Sequence, residues 1–193
     1  DTVLLLCLGV ALGVFSKFLD ATPSNRLPVL LEWLDLGNFL GRFAIWVLLG
    51  VCISVYSNSA LRAALNVFVF LAGMVASYYL YSYFVAGFFP RSYAMIWAAF
   101  AVASPVLGFL CWYAKGDSKP GFVLSVLIFA VLFNLCFAYG WGYFAPRSLL
   151  EAVTFLTGFA VLRRKTWKGT ALLGVLGLAV AVVLNLVVPF HFG

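Results

Sequence analysis

The chain has 193 residues, of which 65% are hydrophobic and only 9% charged, against about 45–50% apolar and about 25% charged in an ordinary soluble domain. That balance excludes a soluble globular protein, and with it a soluble catalytic domain. Twelve Lys and Arg against six Asp and Glu leave +6, too few charges to coat a nucleic-acid face, so the basic excess is read for membrane orientation and the expected surroundings are a lipid bilayer, not nucleic acid.

A spanning helix needs roughly 20 mainly apolar residues to cross about 30 Å of hydrocarbon. Cutting the chain at its charges, prolines and polar clusters predicts seven segments, 2–19, 38–56, 61–86, 93–114, 121–144, 149–162 and 169–188. The reading is an all-α integral membrane helical bundle, a single transmembrane domain over 1–193, with seven spans, or six if the first or sixth does not cross. The first segment lacks a positively charged start and a small-residue cleavage site before Lys17, so it is expected to be a helix and not a signal peptide. Residues 20–37 form the only long connection. Within it, Val29 to Leu36 mixes apolar and acidic positions and predicts a short interfacial helix, opened at Pro28 and stopped at Gly37.

In the fourth segment, Ser104-Pro105 removes a backbone hydrogen bond and predicts a bend. The sixth segment, 14 residues, rises only about 21 Å as an α-helix. It either borrows its flanks, with Arg147 and Arg163 snorkelling, or enters without fully crossing. Between the last two segments, Arg163, Arg164, Lys165 and Lys168 form the strongest basic cluster, which places that loop in the cytoplasm. Alternation then sets Arg62, Lys115 and Lys119 on the same side. Lys17, Arg26, Arg42, Arg91 and Arg147 fall outside, and the location expected is the bacterial cytoplasmic membrane.

The third and fifth segments end alike, in Gly87-Phe88-Phe89-Pro90-Arg91-Ser92 and Gly142-Tyr143-Phe144-Ala145-Pro146-Arg147-Ser148. Much of this echo follows from interfacial aromatics, a helix-ending proline and a capping serine, and Ser148 to Glu151 is a capping-box pattern. It also sets an arginine beside each of two helix N-termini, where free N–H groups favour an anion. Arg91, Arg147 and Arg42, with Lys17 on the same side, are therefore candidates for an outward-facing site for an anionic or aromatic solute, or for a lipid headgroup. Arg91 and Arg147 are expected near one another at its entrance.

Glu151 is the one charge expected at membrane depth, as a capping residue or as the partner of an outer arginine. Asn66, Asn134 and Asn185 are expected to hold helices together. Asn134, nearest mid-span, is also the candidate for touching a solute. Lys17 and Asp20, three apart, suit a local pair. The aromatic run from Tyr78 to Phe84 reads as an interface belt. Cys7, Cys52, Cys111 and Cys136 form no C-x-x-C pair, and His191 is the sole histidine. No nucleotide, zinc or hydrolase motif appears, so neither an enzyme nor a cofactor is expected.

Gly9, Ala11 and Gly13 put small residues on one stretch of the first helix, a spacing that lets another helix approach closely, in this chain or in a partner. With the size, the basic balance and the short loops, this resembles the substrate-capturing membrane subunits of bacterial energy-coupling-factor transporters. The resemblance implies solute capture, six helices, and a first helix that meets a transmembrane coupling subunit. A structural or regulatory subunit of a larger membrane complex is the alternative, ahead of a membrane enzyme acting on a lipid, for which the sequence scarcely offers convergent titratable groups.

Overall fold

The structure is a computed structural model that describes residues 2–23 and 26–188; His191 lies outside the described residues. Its helices are α1 (Thr2–Ala21), α2 (Val29–Trp33), α3 (Leu36–Gly41), α4 (Phe43–Tyr56), α5 (Ala60–Phe84), α6 (Arg91–Tyr113), α7 (Lys119–Cys136), α8 (Leu149–Leu162) and α9 (Trp167–Val187). Between α7 and α8 stand two short strands, β1 (Phe137–Gly140) and β2 (Tyr143–Pro146). Among the described residues five helices, α1, α5, α6, α7 and α9, are long and apolar enough to cross a membrane, which makes this a multi-pass membrane protein. The other two apolar helices, α4 and α8, have 14 residues each.

Helix starts follow local chemistry. Ser59, Ser118, Ser148 and Thr166 precede α5, α7, α8 and α9, and each side chain accepts the amide N–H three residues on, from Arg62, Gly121, Glu151 and Gly169.

The main departures from the sequence reading lie at the end of the bundle that carries Arg42 and Glu151. The single segment 38–56 is broken at Arg42, whose extended backbone separates α3 from α4. Instead of one interfacial helix stopped at Gly37, the connection holds α2 and α3. The chain turns between them at Asp35, in the left-handed region at φ 51°, with the Asn38 amide donating to Asp35 Oδ1 at 2.8 Å. Asp tolerates that conformation because its short polar side chain bonds locally. Segment 121–144 ends as a helix at Cys136, and the next ten residues form the hairpin, paired from Phe137 opposite Pro146 to Gly140 opposite Tyr143. Phe137, Ala138 and Tyr139 favour a strand over a continuing helix, and Gly142 at φ 83° closes the turn. A Cβ on Gly140 would stand 2.6 Å from the Tyr143 ring.

Helix α6 runs on through Pro105. The Ala101 carbonyl, which proline cannot serve, receives the Ser104 hydroxyl at 2.7 Å.

The bundle has two groups of helices. In the first, α1 lies against α5 so closely that a Cβ on Gly9 would be 2.1 Å from the Phe70 carbonyl oxygen, and one on Gly13 2.3 Å from that of Met74. The small-residue face of α1 is thus filled by this chain's own α5. Helix α6 packs on the other flank of α5, where Gly108 admits Ala63 and Val67. In the second group, α7 packs on α9, with Gly177 facing the Phe129 ring, and on α8, with Gly158 facing Leu132. Each group has its own apolar core, one around Trp46, Phe70 and Leu71, the other around Phe129, Phe133 and Leu173. Helix α4 contributes to both, through Trp46 and through Val51 and Val55.

The two ends differ in charge. At one, hereafter the basic end, Arg62, Lys115, Lys119, Arg163, Arg164, Lys165 and Lys168 gather with Asp117. Arg164 crosses from the α8–α9 loop to the start of α7, donating to the carbonyls of Gly116 (2.9 Å) and Gly121 (3.0 Å) and to Ser125 Oγ (2.7 Å). Lys165 bonds Asp117 at 2.5 Å, which holds that exposed carboxyl below its usual range and raises the lysine. The opposite end carries α3, the hairpin and the remaining basic residues.

Candidate functional site

A cavity of about 460 Å³ opens at this second end, walled by the last turns of α1 and α5, the first turns of α4 and α6, and α3. The volume suits a small-molecule site, about 300–1,000 Å³. Its wall is aromatic: Trp46, Tyr78, Tyr79, Phe88, Tyr93 and Trp97 all contribute. Helical spacing explains the wall. Tyr93 and Trp97 are one turn apart on α6, and Arg42 and Trp46 one turn apart across the start of α4, so each pair projects in one direction.

Two cationic groups stand in this aromatic wall. Lys17, 6% exposed near the end of α1, donates to Asp20 Oδ2 at 2.6 Å and has its ammonium 5.1 Å from the centre of the Tyr78 ring. Tyr78 completes a triad by donating its hydroxyl to the same Asp20 oxygen at 3.0 Å. Arg42 donates from Nη1 to Glu151 Oε1 at 2.7 Å. Glu151 is fully buried in the first turn of α8, where its other oxygen accepts the Ser148 hydroxyl. Both carboxylate oxygens of Glu151 are thereby used, as a buried charge requires.

The cations are less saturated. An ammonium has three donors and a guanidinium five, and the described bonds employ one of Lys17 and one of Arg42. The lining itself holds Lys17, Arg42 and Asp20, with Glu151 behind Arg42. Spare donors with little spare acceptor capacity fit an anionic or hydrogen-bond-accepting ligand, and the rings fit an apolar or aromatic body.

Of the residues expected from sequence, the structure brings together Arg42 and Glu151, and it sets Lys17 in the same cavity as Arg42. Arg91 opens α6 as an exposed residue, next in chain to the lining Pro90, but is not itself in the wall. Arg147 is half-buried at the base of the hairpin, its backbone N–H bonded to the Cys136 carbonyl, and it also lies outside the wall. The twin Pro-Arg-Ser turns differ in shape. The first is a tight turn at Gly87, held by Ser82 to Phe88, whereas the second is the hairpin.

Asn134 faces neither cavity wall nor solvent. Its amide donates to the Ala181 carbonyl of α9 at 2.9 Å and its oxygen accepts the Tyr139 hydroxyl at 2.6 Å, so it ties α7, α9 and β1 together. Burial raises the Tyr139 phenol above its ordinary value, which keeps that donor protonated.

Sequence reading missed Asp20 and the aromatic wall as parts of a site. The run from Tyr78 to Phe84 hid it: Tyr83 and Phe84 are exposed as a belt would be, while Tyr78 and Tyr79 turn inward. The usable signal was the three-residue spacing of Lys17 and Asp20, which puts both charges on one helix face.

Among the described residues there is no group of three or more His, Cys, Asp or Glu placed to hold a metal ion. Compared with protein-family models, curated proteins and solved structures, the chain matches none significantly.

Proposed function

We propose that this protein captures a small anionic or aromatic solute in the cavity between α1, α4, α5 and α6, as part of a transport process. The supporting observation is the convergence of buried Lys17 and half-buried Arg42, each with donors to spare, within a wall of six aromatic side chains. A helix bundle that served only to scaffold a neighbour would gain nothing from that arrangement, since cationic groups at membrane depth are costly. In this proposal all seven apolar helices cross the cytoplasmic membrane of a bacterium. The basic end faces the cytoplasm, because seven Lys and Arg collect there against five opposite, and the cavity opens outward.

The test is ligand-dependent melting of the protein in phosphatidylcholine nanodiscs, screened against small aromatic acids, phosphates and neutral aromatics. Acids or phosphates are expected to raise the melting temperature of the wild type and to lose that effect in Lys17→Met. No shift from any of these classes, together with native mass spectra free of bound small molecules, would overturn the reading.

A further inference from the structure

Behind the aromatic wall lies a second cavity of about 330 Å³, enclosed by α4, α5, α6 and α7. Trp46 lines both. The two chambers also follow the same three helices in sequence. On α4, Arg42 and Trp46 give way to Gly50, Val51 and Ser54; on α6, Tyr93 and Trp97 give way to Phe100, Ser104 and Leu107. From Arg42 to Ser54 the path descends about 18 Å, more than half the hydrocarbon thickness.

Between the chambers stands a cluster of rings. Phe43 stacks on Trp97 at 4.3 Å between centroids, and Trp97 meets Trp46 edge-on at 6.4 Å. Beyond these rings the lining is apolar. Its two hydroxyls are occupied, Ser54 by the Gly50 carbonyl and Ser104 by the Ala101 carbonyl, both at 2.7 Å. A water or a polar solute needs two or more partners in a buried site, and with both hydroxyl protons spent the two serines have only acceptor lone pairs left to offer. Its lip is formed where α6 and α7 pack only lightly, by the exposed Leu107, Leu110 and Leu127, so it opens sideways toward hydrocarbon.

We propose that the two chambers form one site for a single-chain amphiphile, whose anionic head is held by Lys17 and Arg42 and whose hydrocarbon chain passes the Trp46–Trp97 pair to lie between α4 and α6. The proposal rests on the capture reading above and narrows its ligand class. Charge supports it at the head, where two cations and one carboxylate line the cavity, and solvation supports it at the tail. The orientation also agrees with that of a lipid whose head sits at the end of the bundle bearing the cavity and whose chain points toward the membrane centre. The far end of the chain reaches the lip between α6 and α7, which lies in the half of the bundle nearer the basic end.

Dodecyl phosphate and phenyl phosphate are suitable probes, with intrinsic tryptophan fluorescence of the nanodisc-embedded protein as readout and empty nanodiscs as blank. Dodecyl phosphate is expected to bind at least tenfold more tightly than phenyl phosphate. Two variants address the chain alone: Gly50→Leu, whose Cβ would stand 3.6 Å from Val67 Cγ1 and whose branch fills the inner chamber, and Leu127→Trp on the exposed lip. Each is expected to weaken dodecyl phosphate about tenfold and leave phenyl phosphate unchanged, with wild-type melting as the check on folding. Lys17→Met is expected to weaken both. Equal binding of the two phosphates, untouched by Gly50→Leu and Leu127→Trp, would overturn the amphiphile proposal and leave capture in the aromatic cavity standing. Binding of neither would overturn the amphiphile proposal, and capture falls with it if the aromatic acids and neutral aromatics give no melting shift either.

Discussion

Removing Arg42 strands a charge, whereas neutralising Glu151 does not, and this asymmetry is measurable. Glu151 is fully buried, while the Arg42 side chain keeps 27% of its exposure. In Arg42→Ala the carboxylate loses its described ion-pair partner and keeps the Ser148 hydroxyl, and breaking a buried pair in this sense costs roughly 3–5 kcal/mol. The partial exposure of Arg42 lets water reach the opened site and places the expectation near the lower bound, about 3 kcal/mol. In Glu151→Gln the amide still accepts from Arg42, and the guanidinium turns toward the cavity mouth, so the loss is about 1 kcal/mol, that of one weakened charged hydrogen bond. Arg42→Lys keeps the charge without the planar fork and falls between them. Reversible unfolding in mixed micelles by sodium dodecyl sulfate, followed by tryptophan fluorescence, ranks the three variants. Equal losses for Arg42→Ala and Glu151→Gln would refute the reasoning, because the ion pair would then be no more than an exposed contact.

Gly9→Ala is expected to destabilise by about 1–3 kcal/mol, the cost of overpacking, since its Cβ meets backbone and not a side chain that can move; the same unfolding assay checks it, and wild-type stability would show that α1 and α5 are not packed as described. Asn134→Ala leaves the Tyr139 hydroxyl the Ala181 carbonyl at 3.1 Å as an acceptor, so it is expected to cost about 1 kcal/mol, the worth of an ordinary hydrogen bond; a double-mutant cycle with Tyr139→Phe yields a coupling if the bond exists. The exposed Asp117–Lys165 bridge has a lowered carboxyl and a raised ammonium. Its contribution is therefore present above the ordinary Asp pKa of about 3.9 and below the ordinary Lys pKa of about 10.4. It fades as pH falls through the lowered acid value or rises through the raised basic one. The difference in melting temperature between wild type and Asp117→Asn is accordingly expected to be small, because the pair is exposed, and constant from pH 5 to 9 at 0.15 M salt, and a difference that changes within that window would refute it. A cysteine at position 168, in a background without the native cysteines, is expected to resist an impermeant thiol reagent added outside intact cells, and labelling there would reverse the orientation.

Period and composition made the helical membrane character legible, because a run of apolar residues has one meaning at this length. The bounds of α8 were readable as well, set by Ser148 on one side and by the Arg163–Arg164 pair on the other. What was hidden were the breaks made by residues without a breaker's signature. Arg42 interrupts the apolar run just after Gly41, but glycines such as Gly9, Gly50 and Gly73 sit inside unbroken helices of this chain, so Gly41 was no signal, and the partner of Arg42, Glu151, is 109 positions away in the chain. Asp35 turns the chain with a left-handed backbone that glycine usually supplies. The hairpin reads as a continued apolar helix because its strand-favouring aromatics are also common in membrane helices. For the site the limit is similar. Pairing between Lys17 and Asp20 is local and was visible; the meeting of Tyr78, Trp46 and Trp97 is a tertiary fact. The Pro-Arg-Ser echo was the most specific pattern in the sequence, yet its two copies fold differently and neither arginine lines the cavity.

The cavity lies where it does because two helices are short. Helices α4 and α8, 14 residues each, rise about 21 Å, against about 30 Å for α1 and about 37 Å for α5. They pack on one another, and their starts are joined by Arg42 and Glu151. Each is completed beyond that start by a bent element, α3 before α4 and the hairpin before α8. The first turns of α4 and α8 thus sit below the ends of the long helices, and a depression forms over them that straight helices would fill. A charged side chain in such a depression is partly solvated, which lowers the cost of keeping Arg42 at that depth. The same ion pair also links the two helix groups, since α4 belongs to both cores and α8 lies mainly in the second, with Leu150 against the first. A ligand drawn to the spare N–H groups of Arg42 therefore acts on the bond that holds the groups together at this end. Loading the cavity is expected to shift the spacing of α4 and α8, a distance that spin labels at the exposed Tyr56 and Val153 would report. An unchanged distance on saturation with a bound phosphate would show the pair to be a fixed strut and the cavity a rigid receptacle.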